Sequence, residues 1–363
     1  MKVGLMLPLH PWEFAAQTRD AAEKIGVDSL WTADHFLGLF HPEIWRRMPI
    51  AAVRPEPDPF TDPFCICAAL GPTTRAPLGV GVTDAIRRAA PDLARTALTL
   101  QGMCAGGFNL GIGAGEAENL LPFGYPFEKP VAALETSLRL LRTLLDTGHM
   151  PTGPGRIGLP LETEVGKPRL WVAGHGPRTL RLTGQYADGW LPSRGMTTSA
   201  EEYGRRRAVV AECAAAAGRV APEAGLGVFV MLGENRARVR EMLDDEPLAK
   251  LMALVLRPEY FRQHGMEHPL GGQHRGIVDV IPHQYDPELL AAIAPTIPVE
   301  LFEQQVVIGS AEEIGRELQT YAQQGCEHLM LINVTGSAGR AAEAQAQAPQ
   351  LATLCHSLQQ GRS

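Results

Sequence analysis

The stretch Phe108-Asn109-Leu110-Gly111-Ile112-Gly113-Ala114-Gly115-Glu116 starts as a buried strand and ends in three glycines spaced by two, followed by a carboxylate. Glycine has no Cβ, so a flat ligand can lie against this backbone, with Glu116 at its edge. A dinucleotide loop is the weaker reading. It requires G-x-G-x-x-G followed at once by a helix, and here the chain runs on into the loop-like Asn119-Leu120-Leu121-Pro122-Phe123-Gly124. A second apolar run ends in Trp31-Thr32-Ala33-Asp34-His35-Phe36. A carboxylate beside an imidazole suits hydrogen bonding to a polar ring, or proton transfer. Alone, the pair reads as readily as a loop cap and a backbone-bonded histidine; the glycine shelf tips it towards function. Gly81-Val82-Thr83 closes a third run, with Arg87 and Arg88 beyond it either solvated or facing an anionic cofactor tail. Ala173-Gly174-His175-Gly176-Pro177-Arg178 places backbone N–H groups at a helix start. That is a phosphate site by backbone and dipole, with Arg178 adding charge, or else a bare turn.

Other chemistries find little support. His264 and His268 are four apart, but Gly265 and Pro269 break the helix that a metal pair would need. None of the six cysteines shows metal-binding C-x-x-C spacing, so no metal is expected and reduced, buried thiols are. No G-x-S-x-G occurs. A net charge of −7 argues against nucleic acid. No apolar run is long enough to span a membrane. The first residues read as a strand and not as a signal peptide, which implies a cytoplasmic protein.

The elements that must position these residues alternate regularly. Apolar runs at Val3–Leu7, Ser29–Thr32, Leu78–Val82, Phe108–Ile112, Arg169–Ala173, Gly189–Leu191, Leu226–Leu232 and His328–Ile332 read as strands. Between and after them, helices are expected at Pro11–Ile25, Pro63–Leu70, Pro91–Cys104, Pro130–Thr147, Pro177–Tyr186, Ala200–Ala217, Glu312–Gln324 and Ala341–Gln359. Continuously apolar strands alternating with helices imply a covered parallel sheet. Eight such units imply an α/β fold, a (β/α)8 TIM barrel, here one domain over residues 1–363. Three insertions decorate it, at residues 37–61, 149–167 and, the largest, 234–305. The first and third follow strands and should wall a pocket or form a lid. Leu251, Met252, Leu254, Val255 and Leu256 suggest an apolar wall, core packing or a dimer contact.

Asp34-His35, the Gly-Ile-Gly-Ala-Gly-Glu shelf, and Ala-Gly-His-Gly-Pro followed by Gln185-Tyr186-Ala187-Asp188-Gly189-Trp190 occur in one order. Together they resemble the bacterial luciferase-like superfamily, in its branch that uses coenzyme F420, a deazaflavin. Thr83-Asp84-Ala85, Lys129-Pro130-Val131-Ala132, His175-Gly176-Pro177-Arg178, His264-Gly265-Met266-Glu267-His268-Pro269 and Val280-Ile281-Pro282 resemble the phthiodiolone dimycocerosate ketoreductases more closely.

The resemblance implies an F420-dependent oxidoreductase, a ketoreductase, that moves a hydride between reduced deazaflavin and a carbonyl or alcohol. His35, Glu116 and Asp34 would be catalytic. Asp34, Gly81, Val82, Thr83, Gly115, Glu116, Ala173, Gly174, His175, Gly176 and Arg178 would hold the cofactor. Gly81-Val82 would be a non-proline cis bond behind the ring, and Glu116 would manage a proton at its pyrimidine edge. The family also implies a homodimer and a small, possibly lipid-like substrate. No lysines matching the phosphate site of the branch's sugar-phosphate dehydrogenases were found. Two alternatives stand beside this reading: an FMN-dependent luciferase-like monooxygenase, and a cofactor-binding protein without turnover.

Overall fold

The computed structural model describes residues 1–8, 11–196, 199–337 and 347–360. Its strands are β1 (Lys2–Met6), β2 (Ser29–Thr32), β3 (Leu78–Asp84), β4 (Phe108–Gly113), β5 (Arg169–Val172), β6 (Gly189–Trp190), β7 (Glu223–Leu232), β8 (Val306–Gly309) and β9 (His328–Asn333). β1 to β6 pair in order, β6 pairs with β7, β7 with β9, and β9 with β1, all in parallel. The ring is therefore the eight-stranded barrel expected from the sequence. β8 was not anticipated. It pairs with the upper half of β7, Phe229–Leu232, beyond the point where the two-residue β6 has ended. Its four residues follow the large insertion directly, too short a run to stand out from it.

The expected helices form with small shifts at their ends, and local chemistry explains the boundaries. The Asp62 carboxylate accepts the Phe64 and Cys65 N–H groups at 2.9 and 3.2 Å and so starts helix Pro63–Leu70. Ser310 and Glu313 form a reciprocal capping box on Ala311–Gln323. In Pro130–Thr147 the buried Leu134, Leu138, Leu141 and Leu145 make one apolar stripe facing the sheet. The last helix is described over Ala348–Gln360; the start expected for it, at residue 341, lies outside the described residues. All six cysteines are free; four are buried, while Cys65 is exposed and Cys213 half-buried, so the expectation of buried thiols fails at those two. Two residues apart on one helix, Cys65 and Cys67 face opposite ways, and Cys67 is buried.

Inside the barrel, Trp31 and Trp171 meet edge to face, ring centroids 5.4 Å apart, with Leu191 and Met330 packed on them. Glycines of neighbouring strands make the room. A Cβ at Gly79 would lie 2.7 Å from the Trp31 ring, and one at Gly189 2.2 Å from that of Trp171. Both indoles are satisfied, Trp31 by Ser29 Oγ at 2.7 Å and Trp171 by Asn109 Oδ1 at 3.0 Å. This filled lower half leaves the chemistry to the mouth at the strands' C-terminal ends.

There the insertions after β2 and β7 build a second apolar core. Phe40, Ile44, Trp45 and Met48 pack with Leu251, Leu254, Phe261, Leu301 and Phe302 and with the tips of β7 and β8. Leu251, Met252, Leu254, Val255 and Leu256 are buried in it, so core packing is their principal role. No helix among the described residues is long and apolar enough to cross a membrane.

Candidate active site

Three turns that follow β2, β3 and β4 meet at the mouth. After β3 the chain makes an Asx turn. Asp84 Oδ1 accepts the Ile86 and Arg87 N–H groups at 2.8 and 2.7 Å, and the Arg87 side chain pairs back onto Asp84. Arg87 also reaches the Asp34 carbonyl at 2.7 Å. The Asp34 carboxylate, only 4% exposed, accepts from Thr83 Oγ1 at 2.6 Å and Arg88 Nε at 3.0 Å. Arg88 continues to Asp62 at 2.8 Å. Both arginines are thus paired with carboxylates, Arg87 in the interior and Arg88 partly at the surface, where it reaches the exposed Asp62. Asp34 and Thr83 tie the turn after β2 to β3, which leaves the neighbouring His35 to face the mouth.

The Gly81–Val82 peptide bond is cis, as the family resemblance implied. The pairing of β3 with β4 shifts register here, between Val80 and Thr83. The glycine shelf on β4 has two explanations. A Cβ at Gly111 would lie 2.3 Å from the Val80 carbonyl, so that glycine answers to the close approach of β3. At Gly113 a Cβ would meet nothing nearer than Val82 at 3.3 Å and Ala173 at 3.8 Å, so this glycine alone of the pair leaves usable space. Gly115 sits at φ +92, a conformation that favours glycine and turns the chain towards Glu116. Residues Ala117–Leu120 then form one turn of helix where the sequence suggested a loop.

That turn carries a residue that the sequence reading missed. Glu118 is fully buried, and its Oε1 lies 3.1 Å from His35 Nδ1. Asn119 Oδ1 accepts the Phe36 N–H at 2.7 Å, which points its amide nitrogen at His35 Nδ1, 3.0 Å away. The only hint in the sequence was a second carboxylate two residues after Glu116. His35, Glu116 and Glu118 each bring a ligand-type atom within 4.8 Å of the others, the one such group among the described residues close enough for a metal ion. The 3.1 Å contact makes it a hydrogen-bonded acid–base cluster as it stands.

The cluster's electrostatics follow from its position. Burial pulls the His35 imidazolium down. The hydrogen bond it donates to Glu118 and the charges of Glu116 and Glu118 outweigh this against Arg87, so its pKa rises to about 9. Burial pushes the Glu116 carboxyl up to about 7, helped by the charges of Glu118 and Asp84 and opposed by His35 and Arg87. Burial likewise raises Glu118, against its bond to His35. A group poised near neutrality beside a protonated imidazole is the arrangement proton transfer requires.

At the expected phosphate site the amides are already engaged. The His175 and Gly176 N–H groups donate to Thr179 Oγ1 at 3.0 and 3.1 Å. Gly174 lends its carbonyl to Trp190 Nε1 at 2.8 Å. Arg178 pairs with Glu135, both of them well exposed. What remains open is His175 Nδ1, buried without a partner among the described residues. Burial, with the charges of Arg206 and Arg257, depresses that imidazole to about 3, so it is neutral. The metal pair doubted from the sequence does not arise at His268, whose ring bonds the Leu254 and Leu256 carbonyls and the Leu270 N–H.

The luciferase-like monooxygenase family matches residues 1–328. A phthiodiolone/phenolphthiodiolone dimycocerosates ketoreductase from Mycobacterium kansasii is 34% identical over 341 residues, covering 89% of this chain and 92% of its own. Among solved structures, an F420-dependent secondary alcohol dehydrogenase in complex with an F420-acetone adduct superposes with a TM-score of 0.70 at 18% identity, covering 97% of this chain and 98% of its own. The coenzyme F420 dependent tetrahydromethanopterin reductase from Methanopyrus kandleri does so with a TM-score of 0.70 at 13% identity, covering 96% and 97%. The two structures share the fold; the family match and the ketoreductase relative carry descent, and this chain belongs to the luciferase-like family.

Proposed function

We propose that this chain is an oxidoreductase that uses coenzyme F420 to reduce a ketone, or to oxidise the matching alcohol, on an apolar substrate. The observation that carries the reading is the convergence of His35 and Glu116 from different strands at the barrel mouth. The ketoreductase relative, matched along 92% of its length, favours carbonyl chemistry.

The residues fit a deazaflavin. Gly113 leaves space beside Val82 and Ala173, and His175 Nδ1 is a buried, unpartnered atom flanked by Arg206 and Arg257, suited to an anionic tail. When bound, the cofactor supplies hydride transfer to or from carbon. The chain supplies the proton. His35 Nδ1 is held from below by Glu118, which leaves Nε2 to meet the substrate oxygen. In reduction the imidazolium gives that proton as the carbonyl carbon gains hydride; in oxidation the neutral ring takes it back. Glu116 gains or releases a proton near neutral pH at the edge of the shelf. We assign Asp34 to holding the His35 turn in place, not to the reaction itself.

An apolar substrate is favoured by the rim, where the exposed Phe36 and Phe123 rings meet at 4.4 Å, tilted by 43°, beside the cluster. The FMN-dependent alternative needs a phosphate site in the same place, for which many such sites use a hydroxyl. Thr179 supplies one, but it is committed to the His175 and Gly176 amides. The test is a fluorescence titration of the protein with oxidised F420 and, separately, with FMN. A dissociation constant on the order of micromolar or below for F420, with weak FMN binding, is expected. A preference for FMN, with oxygen consumption, overturns the cofactor assignment. Binding of neither overturns the shelf.

A further inference from the structure

We infer that Glu118 is a positioning residue that fixes the proton of His35 on Nδ1 and thereby makes Nε2 the atom that exchanges protons with substrate. The inference rests on the proposed reaction for its purpose, but its geometry stands on its own.

His35 Nδ1 carries either a lone pair or an N–H. It faces Glu118 Oε1 at 3.1 Å and Asn119 Nδ2 at 3.0 Å, and Asn119 Nδ2 lies 3.5 Å from the same Glu118 oxygen. The Asn119 amide cannot be turned round, because its Oδ1 already accepts from the Phe36 N–H at 2.7 Å. If Nδ1 were a bare lone pair, it would face an ionised Glu118 oxygen as acceptor against acceptor. With the N–H on Nδ1, His35 donates to Glu118 Oε1; Asn119 Nδ2, which could donate to Nδ1 at 3.0 Å only if that atom were a lone pair, then turns to the same carboxylate oxygen at 3.5 Å, so the charged bond forms at the expense of the shorter neutral one. Nε2 then points to the quarter-exposed side of the ring. It carries a proton when the ring is charged and a lone pair when it is neutral, so one geometry serves both directions of the reaction.

Glu118 pays a cost for its place that packing alone does not explain: its Oε2 is buried and has no partner among the described residues. Buried carboxylate oxygens are normally bonded, and an orphan at a functional cluster points to a role. The charged groups around the pair come from every wall of the mouth. Glu116 lies on the same turn, Arg87 and Asp84 follow β3, and Asp58 and His283, themselves paired at 2.7 Å, come from the two insertions. None of the others hydrogen-bonds the His35 ring.

The test is NMR titration of the His35 imidazole nitrogens in the wild type and in Glu118→Gln, alongside the pH profile of ketone reduction. In the wild type, Nδ1 stays protonated across the titration and the midpoint lies above about 8, well over the ordinary 6.5 of histidine. In Glu118→Gln the midpoint falls by about one unit or more, and the alkaline limit of kcat moves down with it. There, kcat at neutral pH drops roughly 10- to 100-fold while F420 binding is retained. An unchanged midpoint and tautomer in Glu118→Gln overturn the inference. If that variant does not fold, the wild-type titration decides, since a midpoint near 6.5 with the proton on Nε2 also overturns it. If the wild type binds no F420 yet His35 responds to Glu118, the dyad stands and the proposed function falls.

Discussion

His35 and His175 stand at the same mouth and are pushed in opposite directions, which gives the site a measurable signature in pH. Carboxylates facing His35 raise it to about 9, whereas burial, with Arg206 and Arg257 adding to it, lowers His175 to about 3. A histidine raised on folding contributes stability that is complete below its unfolded pKa of about 6.5 and disappears as pH climbs through about 9. The unliganded protein should therefore lose stability between those values, and His35→Gln should flatten that slope in Tm measured against pH. A lowered histidine acts the other way: its contribution is present above about 6.5 and is lost as pH falls towards about 3. His175→Gln should accordingly lessen the loss on the acid side and leave the alkaline slope intact. Equal slopes in wild type and His35→Gln would show that the cluster does not hold the proton. At this scale the sequence was readable where a residue type announces its chemistry. Asp34, His35 and Glu116 stand out in the sequence and the fold brings them to one mouth, but the contact that sets His35 joins positions 83 residues apart. Nothing local distinguishes Glu118 from a surface glutamate. The same holds for Thr179, whose hydroxyl closes the His175 and Gly176 amides only once the helix has formed.

The strands and turns show why glycine patterns mislead when read as ligand sites alone. Continuously apolar runs between helices make the eight barrel strands legible, and Gly26 and Gly325 stop the helices before two of them at φ of 79 and 84. The glycines themselves divide by what lies opposite them, and that is a property of the closed barrel. Gly189 exists to admit the Trp171 ring, and Gly111 to admit the Val80 carbonyl, whereas a methyl group at Gly113 would press only on the Val82 side chain, at 3.3 Å, which must give by a few tenths of an ångström. Gly189→Ala and Gly111→Ala should each destabilise the protein by about 1–3 kcal/mol or more, read as a lower urea midpoint, because a strand or an indole must move. Gly113→Ala should keep that midpoint within about 1 kcal/mol and instead weaken F420 binding, by filling the space beside Val82 and Ala173. If Gly113→Ala bound the cofactor as tightly as the wild type, the shelf on β4 would be a packing device throughout.

For the whole molecule, the two insertions matter more for the core they share than for their separate lengths. The sequence placed both beside the mouth, because loops that follow strands lie on that face. That they would bury each other was not readable, since Ile44 and Trp45 on one and Phe261 and Phe302 on the other are ordinary apolar residues in irregular segments. The consequence is a cap with its own apolar core. It rests on the barrel through the tips of β7 and β8, and its Asp58–His283 pair sits over Glu118. An apolar cleft within it, lined by Leu39, Phe40, Leu254, Tyr285 and Leu290 among others, holds about 20 Å³, room for about one water molecule. A bulky substrate can use this wall only if the cap loosens. Trp45 tests the coupling, because it is almost fully buried there and its indole N–H bonds the Arg54 carbonyl at 2.6 Å. Trp45→Ala should cost about 3–5 kcal/mol within the cap. Hydrogen exchange should then speed up across residues 37–61 and 247–305 while the strands around Trp31 and Trp171 stay protected, since those rings pack in a separate cluster. Loosening of cap and barrel together would mean that the two cores fold as one unit, and that access to His35 is not governed by the cap alone.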